Sequence, residues 1–131
     1  MKILIDTNSY SQLYKGDRYV ERMLSRSTDI FLSAISLGEL YLGFLEGTKK
    51  EENLSFLKKF LNKPGVSILK VNKSTSSIYA KVKFDLRRKG TLIPENDIWI
   101  AALAIESDSV LVSYDKHFSD IPGLRLWQKL D

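Results

Sequence analysis

The sequence contains no cysteine, so disulfide bridges and metal sites built from thiolates are excluded. This composition suits a protein that works in a reducing compartment such as the cytosol. No apolar run is long enough to cross a membrane, because the longest, residues 31–45, falls short of about 20 residues and includes Glu39. A secretory signal is also missing, since only three apolar residues separate Lys2 from Asp6. We therefore expect a cytoplasmic protein with no membrane partner.

The rest of the composition is that of an ordinary globular protein. With 131 residues, of which 44% are hydrophobic, the chain has the size and apolar content of one domain, which we predict to span residues 1–131. Its formal net charge of +4 is mildly basic and compatible with a polyanionic partner, although many small proteins are as basic without one.

Short apolar segments alternate with longer amphipathic segments along the chain. The apolar segments have the character of buried strands and lie at residues 3–5, 29–32, 66–71, 110–112 and 124–126. Helices are predicted at residues 10–14, 17–24, 33–46, 49–61 and 72–89, and from residue 94 onward. Thr7, Asn8 or Ser9 is expected to cap the first helix. This alternation predicts a three-layer α/β/α sandwich with a central, mainly parallel sheet.

Four carboxylates stand at special positions in this pattern. Asp6 ends the first strand, and Asp115 follows the fourth strand. Glu39 is placed on a largely apolar helix face, and Asp97 lies in the first turn of the last helix. The carboxyl ends of parallel strands share one edge of a sheet, and a helix that starts after a crossover can reach the same edge. The four side chains can therefore converge.

Each of these residues also has an ordinary interpretation. Asp6 can end a strand and cap a helix, Asp97 can complement a helix dipole, and Asp115 can be a turn residue. Glu39 is harder to explain in this way, because an ionisable side chain seldom faces a core unpaired. If the four converge, their repulsion is costly unless a cation compensates it, and an all-oxygen site suits Mg²⁺ or Mn²⁺.

Four motifs extend this pattern over the whole chain, namely ILIDTN, GELYLG, IPENDIWIAALA and VLVSYDKHFSDIPGLRLW. In this order and at this spacing they resemble the PIN-domain ribonucleases. The nearest resemblance is to the VapC-type toxins of bacterial and archaeal toxin–antitoxin pairs. The resemblance implies a PIN-like fold over residues 1–131 and the activity, cofactor and partners of that family.

The resemblance implies a metal site that holds one or two Mg²⁺ or Mn²⁺ ions. Its ligands would be four carboxylates, called the acidic quartet below: Asp6, Glu39, Asp97 and Asp115. Asp6 and Asp97 would be the main direct ligands, and the other two would complete the site directly or through water. The residues that would hydrogen-bond these carboxylates are Thr7, Asn8 and Ser113.

The implied activity is that of an endoribonuclease that hydrolyses RNA phosphodiester bonds with a metal-activated water. No nucleophilic side chain is needed, which agrees with the absence of cysteine and with the presence of a single histidine, His117. We expect His117 to face solvent or to stabilise a turn rather than to act in catalysis.

An RNA substrate would need basic and aromatic contacts around an acidic pocket. The basic candidates are Lys81, Lys83, Arg87, Arg88, Lys89 and Lys116, although a solvated helix face explains most such residues. Bases could stack on Tyr10, Tyr14 or Tyr41, for which core packing is an equally good interpretation.

The resemblance further implies a VapB-type antitoxin, whose tail folds onto the toxin and blocks the acidic site. Its groove should expose apolar side chains, for which Leu13, Tyr14, Phe44 and Leu57 are the candidates. The family also commonly forms toxin homodimers, and we expect one here.

Three alternatives remain open at this point. A PIN-fold nuclease can serve RNA processing outside a toxin–antitoxin system. A phosphatase or phosphotransferase of the haloacid-dehalogenase type also begins with a strand and an aspartate, but it needs a second aspartate where this chain has Asn8. A non-enzymatic α/β module such as a phosphoacceptor receiver needs paired acids at the first strand, whereas Asp6 stands alone.

Overall fold

The computed structural model of the protein describes residues 1–127, which form a five-stranded sheet with helices on both faces. The strands are β1 (Lys2–Ile5), β2 (Asp29–Ser33), β3 (Val66–Leu69), β4 (Val110–Val112) and β5 (Arg125–Leu126). Their order across the sheet is β3-β2-β1-β4-β5, and every neighbouring pair is parallel. The predicted α/β/α architecture is therefore confirmed. The prediction of one domain over residues 1–131 stays a prediction.

Six α-helices and one short 3₁₀ helix connect these strands within the described residues. They are α1 (Thr7–Tyr14), α2 (Arg18–Ser25), α3 (Ala34–Glu46), α4 (Lys50–Leu61), α5 (Lys73–Lys89), α6 (Glu95–Glu106) and the 3₁₀ helix Lys116–Asp120. Helices at all six predicted positions are confirmed, and none of those described is long and apolar enough to cross a membrane.

The central strand β1 contributes to two separate hydrophobic cores. Because successive strand residues point to opposite faces, Ile3 and Ile5 pack into one core and Leu4 into the other. The first core is closed by α1, α2 and α4, and the second by α5 and α6. The side chains of these three β1 residues are inaccessible to solvent, as expected for a parallel strand covered on both faces, whereas Lys2 at the start of β1 is exposed.

The register of the sheet aligns the carboxyl ends of its three central strands. Ile5 at the end of β1 lies opposite Leu32 of β2 and Val112 of β4. The residues that follow these positions, Asp6, Ser33 and Ser113, therefore come out at one edge of the sheet.

Local side-chain caps fix where several helices begin. Asp17 accepts the backbone N–H groups of Tyr19 and Val20 at the start of α2, and Ser33 accepts the N–H of Ser36 at the start of α3. Asn72 forms a reciprocal capping box with Thr75 at the start of α5.

Two predicted boundaries are wrong for identifiable reasons. The first helix begins at Thr7 because Asp6, rather than one of the three residues after it, provides the cap. Strand β3 ends at Leu69 instead of residue 71, because Leu69 pairs with Ser33, the last residue of β2, and no partner strand continues beyond it.

Candidate active site

Asp6 lies at the centre of the carboxyl edge and is almost completely buried, with 1% of its surface exposed. Its Oδ1 accepts the backbone N–H of Ser9 at 2.8 Å, and its Oδ2 accepts the Ser113 hydroxyl at 2.5 Å. Burial raises the pKa of Asp6 above its usual value, while the hydrogen bonds from Ser113 and Ser9 act in the opposite direction.

Glu39 reaches the same edge from the second turn of α3. Its Oε1 accepts the hydroxyl of Thr7 at 2.6 Å, and that hydroxyl also contacts the Ser36 hydroxyl at 2.9 Å. Thr7 follows Asp6 directly, so this hydrogen bond ties the Glu39 carboxylate to the end of β1.

Asp115 comes from the loop after β4 and is positioned by two neighbours. Its backbone N–H donates to the Ser113 hydroxyl at 3.0 Å, and its Oδ2 accepts the side-chain amide of Asn8 at 3.3 Å. Because the Ser113 hydroxyl also donates to Asp6, one small side chain links the backbone of Asp115 to the Asp6 carboxylate.

Asp97 enters the site from the first turn of α6 and contacts His117. The two side chains approach to 3.0 Å between Asp97 Oδ2 and His117 Nε2. The Nε2 atom is buried and makes no hydrogen bond of suitable geometry within the described residues, so the contact with Asp97 is electrostatic in character.

The charges on the acidic quartet act on one another. Burial is the largest cause that raises the pKa of Asp97, and the opposing attraction of His117 comes second. The negative charges of Asp115, Asp6 and Glu39 raise the pKa further, in that order. All four predicted site carboxylates are therefore close enough to interact, although they come from β1, α3, α6 and the loop after β4.

These side chains have the chemistry of a divalent cation site. The potential ligand atoms of Asp97, Asp115 and His117 all lie within 4.8 Å of one another. Asp6 keeps free lone pairs on both oxygens after its hydrogen bonds. A cation would relieve the repulsion and the burial that raise the pKa values of Asp6 and Asp97. The residues present thus fit a hard metal ion, with one imidazole nitrogen beside the carboxylate oxygens.

His117 is half-buried beside Asp97 rather than turned to solvent, so the solvent-facing alternative is wrong, whereas the expectation that it stabilises a turn stays a prediction. The 3₁₀ helix Lys116–Asp120, which no periodic pattern in the sequence predicted, packs Phe118 into the core and turns His117 back toward Asp97. The surroundings expected for Glu39 are also wrong, because its neighbours Leu42 and Gly43 are exposed rather than part of the core.

Several predicted RNA and antitoxin contacts need correction as well. Tyr10 is buried against the rings of Phe56 and Phe60 and has no face open to a base, and Leu57 is buried in the same core. Lys81 and Lys83 form ion pairs with Asp85 and Glu95, and Lys89 donates to the backbone carbonyl of Asp120. Tyr14, Tyr41 and Lys116 remain exposed.

A parallel sheet that gathers four carboxylates at its carboxyl edge defines an α/β protein with a candidate site for a divalent cation. The particular family follows from a match of the PIN domain model to residues 3–124. The chain therefore belongs to the PIN domain family, as its motifs predicted.

Individual relatives agree with this assignment. The chain is 33% identical to Ribonuclease VapC2 of Rickettsia felis, over 98% of this chain and 100% of that protein. Among solved structures, VapBC2 of Rickettsia felis bound to a promoter DNA fragment matches with a TM-score of 0.87 and 30% identity, over 98% of this chain and 100% of that chain. VapBC-1 of nontypeable Haemophilus influenzae matches with a TM-score of 0.86 and 25% identity, over 97% of both chains.

Proposed function

We propose that this protein is a divalent-metal-dependent endoribonuclease and the toxin of a type II toxin–antitoxin module. The observation that carries the proposal is the gathering of Asp6, Glu39, Asp97 and Asp115 at one edge of the sheet. Ser113, Thr7 and Asn8 hold the side chains of Asp6, Glu39 and Asp115, and the negative charges of these three carboxylates raise the pKa of Asp97. The similarity to a named ribonuclease over nearly the whole length of both proteins supports the same activity.

Within this proposal the chain's own residues orient the site. Thr7 and Asn8 each hold one carboxylate, those of Glu39 and Asp115, and thereby fix the orientation of two proposed ligands. We assign Mg²⁺ or Mn²⁺, one or two ions, to this centre. Such an ion would lower the pKa of an attacking water and neutralise charge on the scissile phosphate.

The hydrogen bonds disfavour an aspartyl-phosphate mechanism. A haloacid-dehalogenase needs an acid two residues after its nucleophile, whereas Asn8 uses its amide to hold Asp115. Asp6 itself is buried and accepts hydrogen bonds on both oxygens, which suits a fixed ligand better than an attacking nucleophile.

The direct test is RNA cleavage by the purified protein with Mg²⁺, with EDTA and after substitution. We expect EDTA to abolish cleavage, and Asp6→Asn and Asp97→Asn to lower the rate by about 100-fold or more without loss of fold, because a metal ligand is lost. Asp108→Asn is a matched control, since Asp108 is a surface residue paired with Arg125 and has a positive φ that asparagine tolerates. Equal cleavage by the wild type and Asp6→Asn would refute the assigned site.

A cognate VapB-type antitoxin is the protein partner we propose. Solved relatives such as VapBC2 of Rickettsia felis are complexes, which supports a bound partner here. A cleft of about 760 Å³ between α1, α2 and α4 offers an apolar surface for it, lined by Leu13, Tyr14, Leu24 and Phe56 among others. Phe44 lines a smaller cleft with Tyr14 next to it, while Leu57, buried in the core, takes no part.

We further propose a homodimer in the cytoplasm, where RNA is available as substrate. An exposed apolar row on α3, formed by Tyr41, Leu42 and Leu45, supports an interface between two copies. An RNA-processing role outside a toxin–antitoxin system is less well supported, because the VapC relative is matched over 98% of this chain and all of its own length.

A further inference from the structure

A second cleft opens directly beside the acidic quartet. It has a volume of about 400 Å³, within the range of small-ligand sites, and it lies between the start of α1, the start of α2 and the loop after β4. Its lining residues are Asn8, Gln12, Asp17, Tyr19, Tyr114 and Asp115. Asp115 belongs to both this cleft and the proposed metal site, so a substrate held at the metal would extend into the cleft.

Tyr114 presents a ring that is fixed from two sides. Its hydroxyl donates to Asp17 Oδ2 at 2.8 Å, while Asp17 Oδ1 caps α2. Its ring forms a T-shaped contact with the ring of Trp127, with centroids 5.1 Å apart and planes at 82°, and the side chain is 37% exposed. A ring that cannot turn away loses little conformational entropy when a flat ligand stacks on it.

Two amide side chains lie in the same cleft. Gln12 is half-buried, and no hydrogen bond of its amide occurs within residues 1–127. Asn8 donates its N–H to Asp115, which leaves its carbonyl oxygen as an acceptor. Side-chain amides offer both a donor and an acceptor, so they can form base-specific hydrogen bonds with the edges of nucleobases.

We propose that this cleft, lined by Asn8, Gln12, Tyr19 and Tyr114 beside Asp115, is a recognition subsite for one unpaired nucleobase next to the scissile phosphate. The inference rests on the proposed ribonuclease function and extends it to sequence preference. Tyr114 provides the stacking surface, and the Gln12 amide distinguishes among the four bases.

The charges around the cleft favour a base over a phosphate as its occupant. Asp17 and Asp115 line it and would repel a phosphate, whereas they are compatible with the N–H groups of a base. Arg18 and Arg22 lie in an adjoining cleft that shares Asp17 and Tyr19, with the Arg22 guanidinium 5.8 Å from the centre of the Tyr19 ring. Those cations are placed to hold the sugar–phosphate chain on the far side of the base.

The test measures RNA binding separately from cleavage. Four short oligoribonucleotides that differ only in a central A, C, G or U are titrated against the wild type with Ca²⁺ in place of Mg²⁺, and a denaturing gel verifies that they stay intact. We expect Tyr114→Ala to weaken binding by about 5- to 100-fold, the range for loss of one stacked base. Tyr114→Phe keeps the ring and should bind within about threefold of the wild type.

Gln12→Ala tests whether the Gln12 amide discriminates among the bases. The substitution should leave the fold intact, because alanine favours the helix on which residue 12 lies. We expect it to shrink the difference in affinity between the best and the worst base by about tenfold. Phe84→Ala is the control, since Phe84 is an aromatic residue on α5 that is 57% exposed and outside the cleft.

The outcomes separate this proposal from the ribonuclease assignment. If the wild type cleaves RNA but Tyr114→Ala and Gln12→Ala bind and cut with unchanged base preference, the subsite is wrong and the ribonuclease assignment stands. If the wild type neither binds nor cleaves any RNA, both fail. If Tyr114→Ala does not fold, an unchanged preference in Gln12→Ala alone overturns the subsite.

Discussion

At the scale of the single residue, Ser113 has the most connected position in the candidate active site. Its hydroxyl donates to Asp6 and accepts the backbone N–H of Asp115, and its own carbonyl oxygen accepts the indole N–H of Trp127. This one residue thus links the Asp6 carboxylate to the backbone of Asp115 and anchors the start of the loop that carries Tyr114.

Removing this hydroxyl should weaken metal binding without removing a proposed ligand. We expect Ser113→Ala to lower Mn²⁺ affinity by about 10- to 100-fold, the range for loss of a group that orients a ligand. Ser113→Thr keeps the hydroxyl and should restore most of the affinity. Calorimetric titration with Mn²⁺ measures both variants, and equal affinity in Ser113→Ala and the wild type would show that Asp6 needs no such support.

The residue scale is also where sequence reasoning was most and least successful. The four carboxylates were recognised because each stands next to the end of a strand or on a helix with a clear pattern. The position of His117 beside Asp97 was not foreseen because it depends on a 3₁₀ helix held by tertiary contacts such as the packing of Phe118, which have no local signal. The assignment of these residues to the active site stays a prediction.

At the scale of the element, the turn between α4 and β3 packs closely against the backbone of Thr28, just before β2. Gly65 has φ +82°, and a Cβ added there would lie 2.5 Å from the backbone carbonyl oxygen of Thr28. Its own carbonyl accepts the N–H of Ile30, so the turn fixes the start of the β2–β3 pairing.

Gly65→Ala should therefore be much more destabilising than the same substitution at a glycine that has a positive φ but open space around it. We expect the free energy of unfolding to fall by about 2–5 kcal/mol, from backbone strain together with the steric clash. Gly90→Ala is the control, because Gly90 has φ +70° but open space around it, and it should cost about 1 kcal/mol. Urea denaturation compares the two, and similar losses would show that the contact with Thr28 relaxes freely.

Most elements were predictable because their signals are local. The caps Asp17, Ser33 and Asn72 act within three residues of themselves, and short apolar runs have few alternatives to buried strands. The end of β3 was not predictable, since it depends on where β2 stops, more than 30 residues away along the chain.

At the scale of the whole molecule, the candidate active site lowers the stability of the folded chain when no metal is bound. Burial raises the pKa of Asp6, which means that the folded chain favours its protonated form. Without metal, the stability that the folded chain has when Asp6 is protonated is fully present below the ordinary pKa of about 3.8. It is lost as the pH rises through the raised pKa that Asp6 has in the folded state. A bound cation would restore it.

Asp6→Asn should consequently be inactive but more stable than the wild type in EDTA at pH 8. The difference in melting temperature should shrink as the pH falls toward the ordinary pKa of an aspartate and Asp6 becomes protonated, and Mg²⁺ at pH 8 should stabilise the wild type more than the variant. Asp108→Asn provides the control at each pH. A variant that is less stable than the wild type at every pH would contradict the unfavourable burial of Asp6.

The long-range link between Asp6 and Ser113, 107 residues apart in sequence, has a consequence for biosynthesis. A ribosome that has made β1, α1 and α3 has produced only Asp6 and Glu39, and the other half of the quartet arrives with α6 and the loop after β4. A nascent chain thus lacks half of the candidate active site until late in synthesis. The order in which the residues are synthesised delays the nuclease until nearly all of the fold is available.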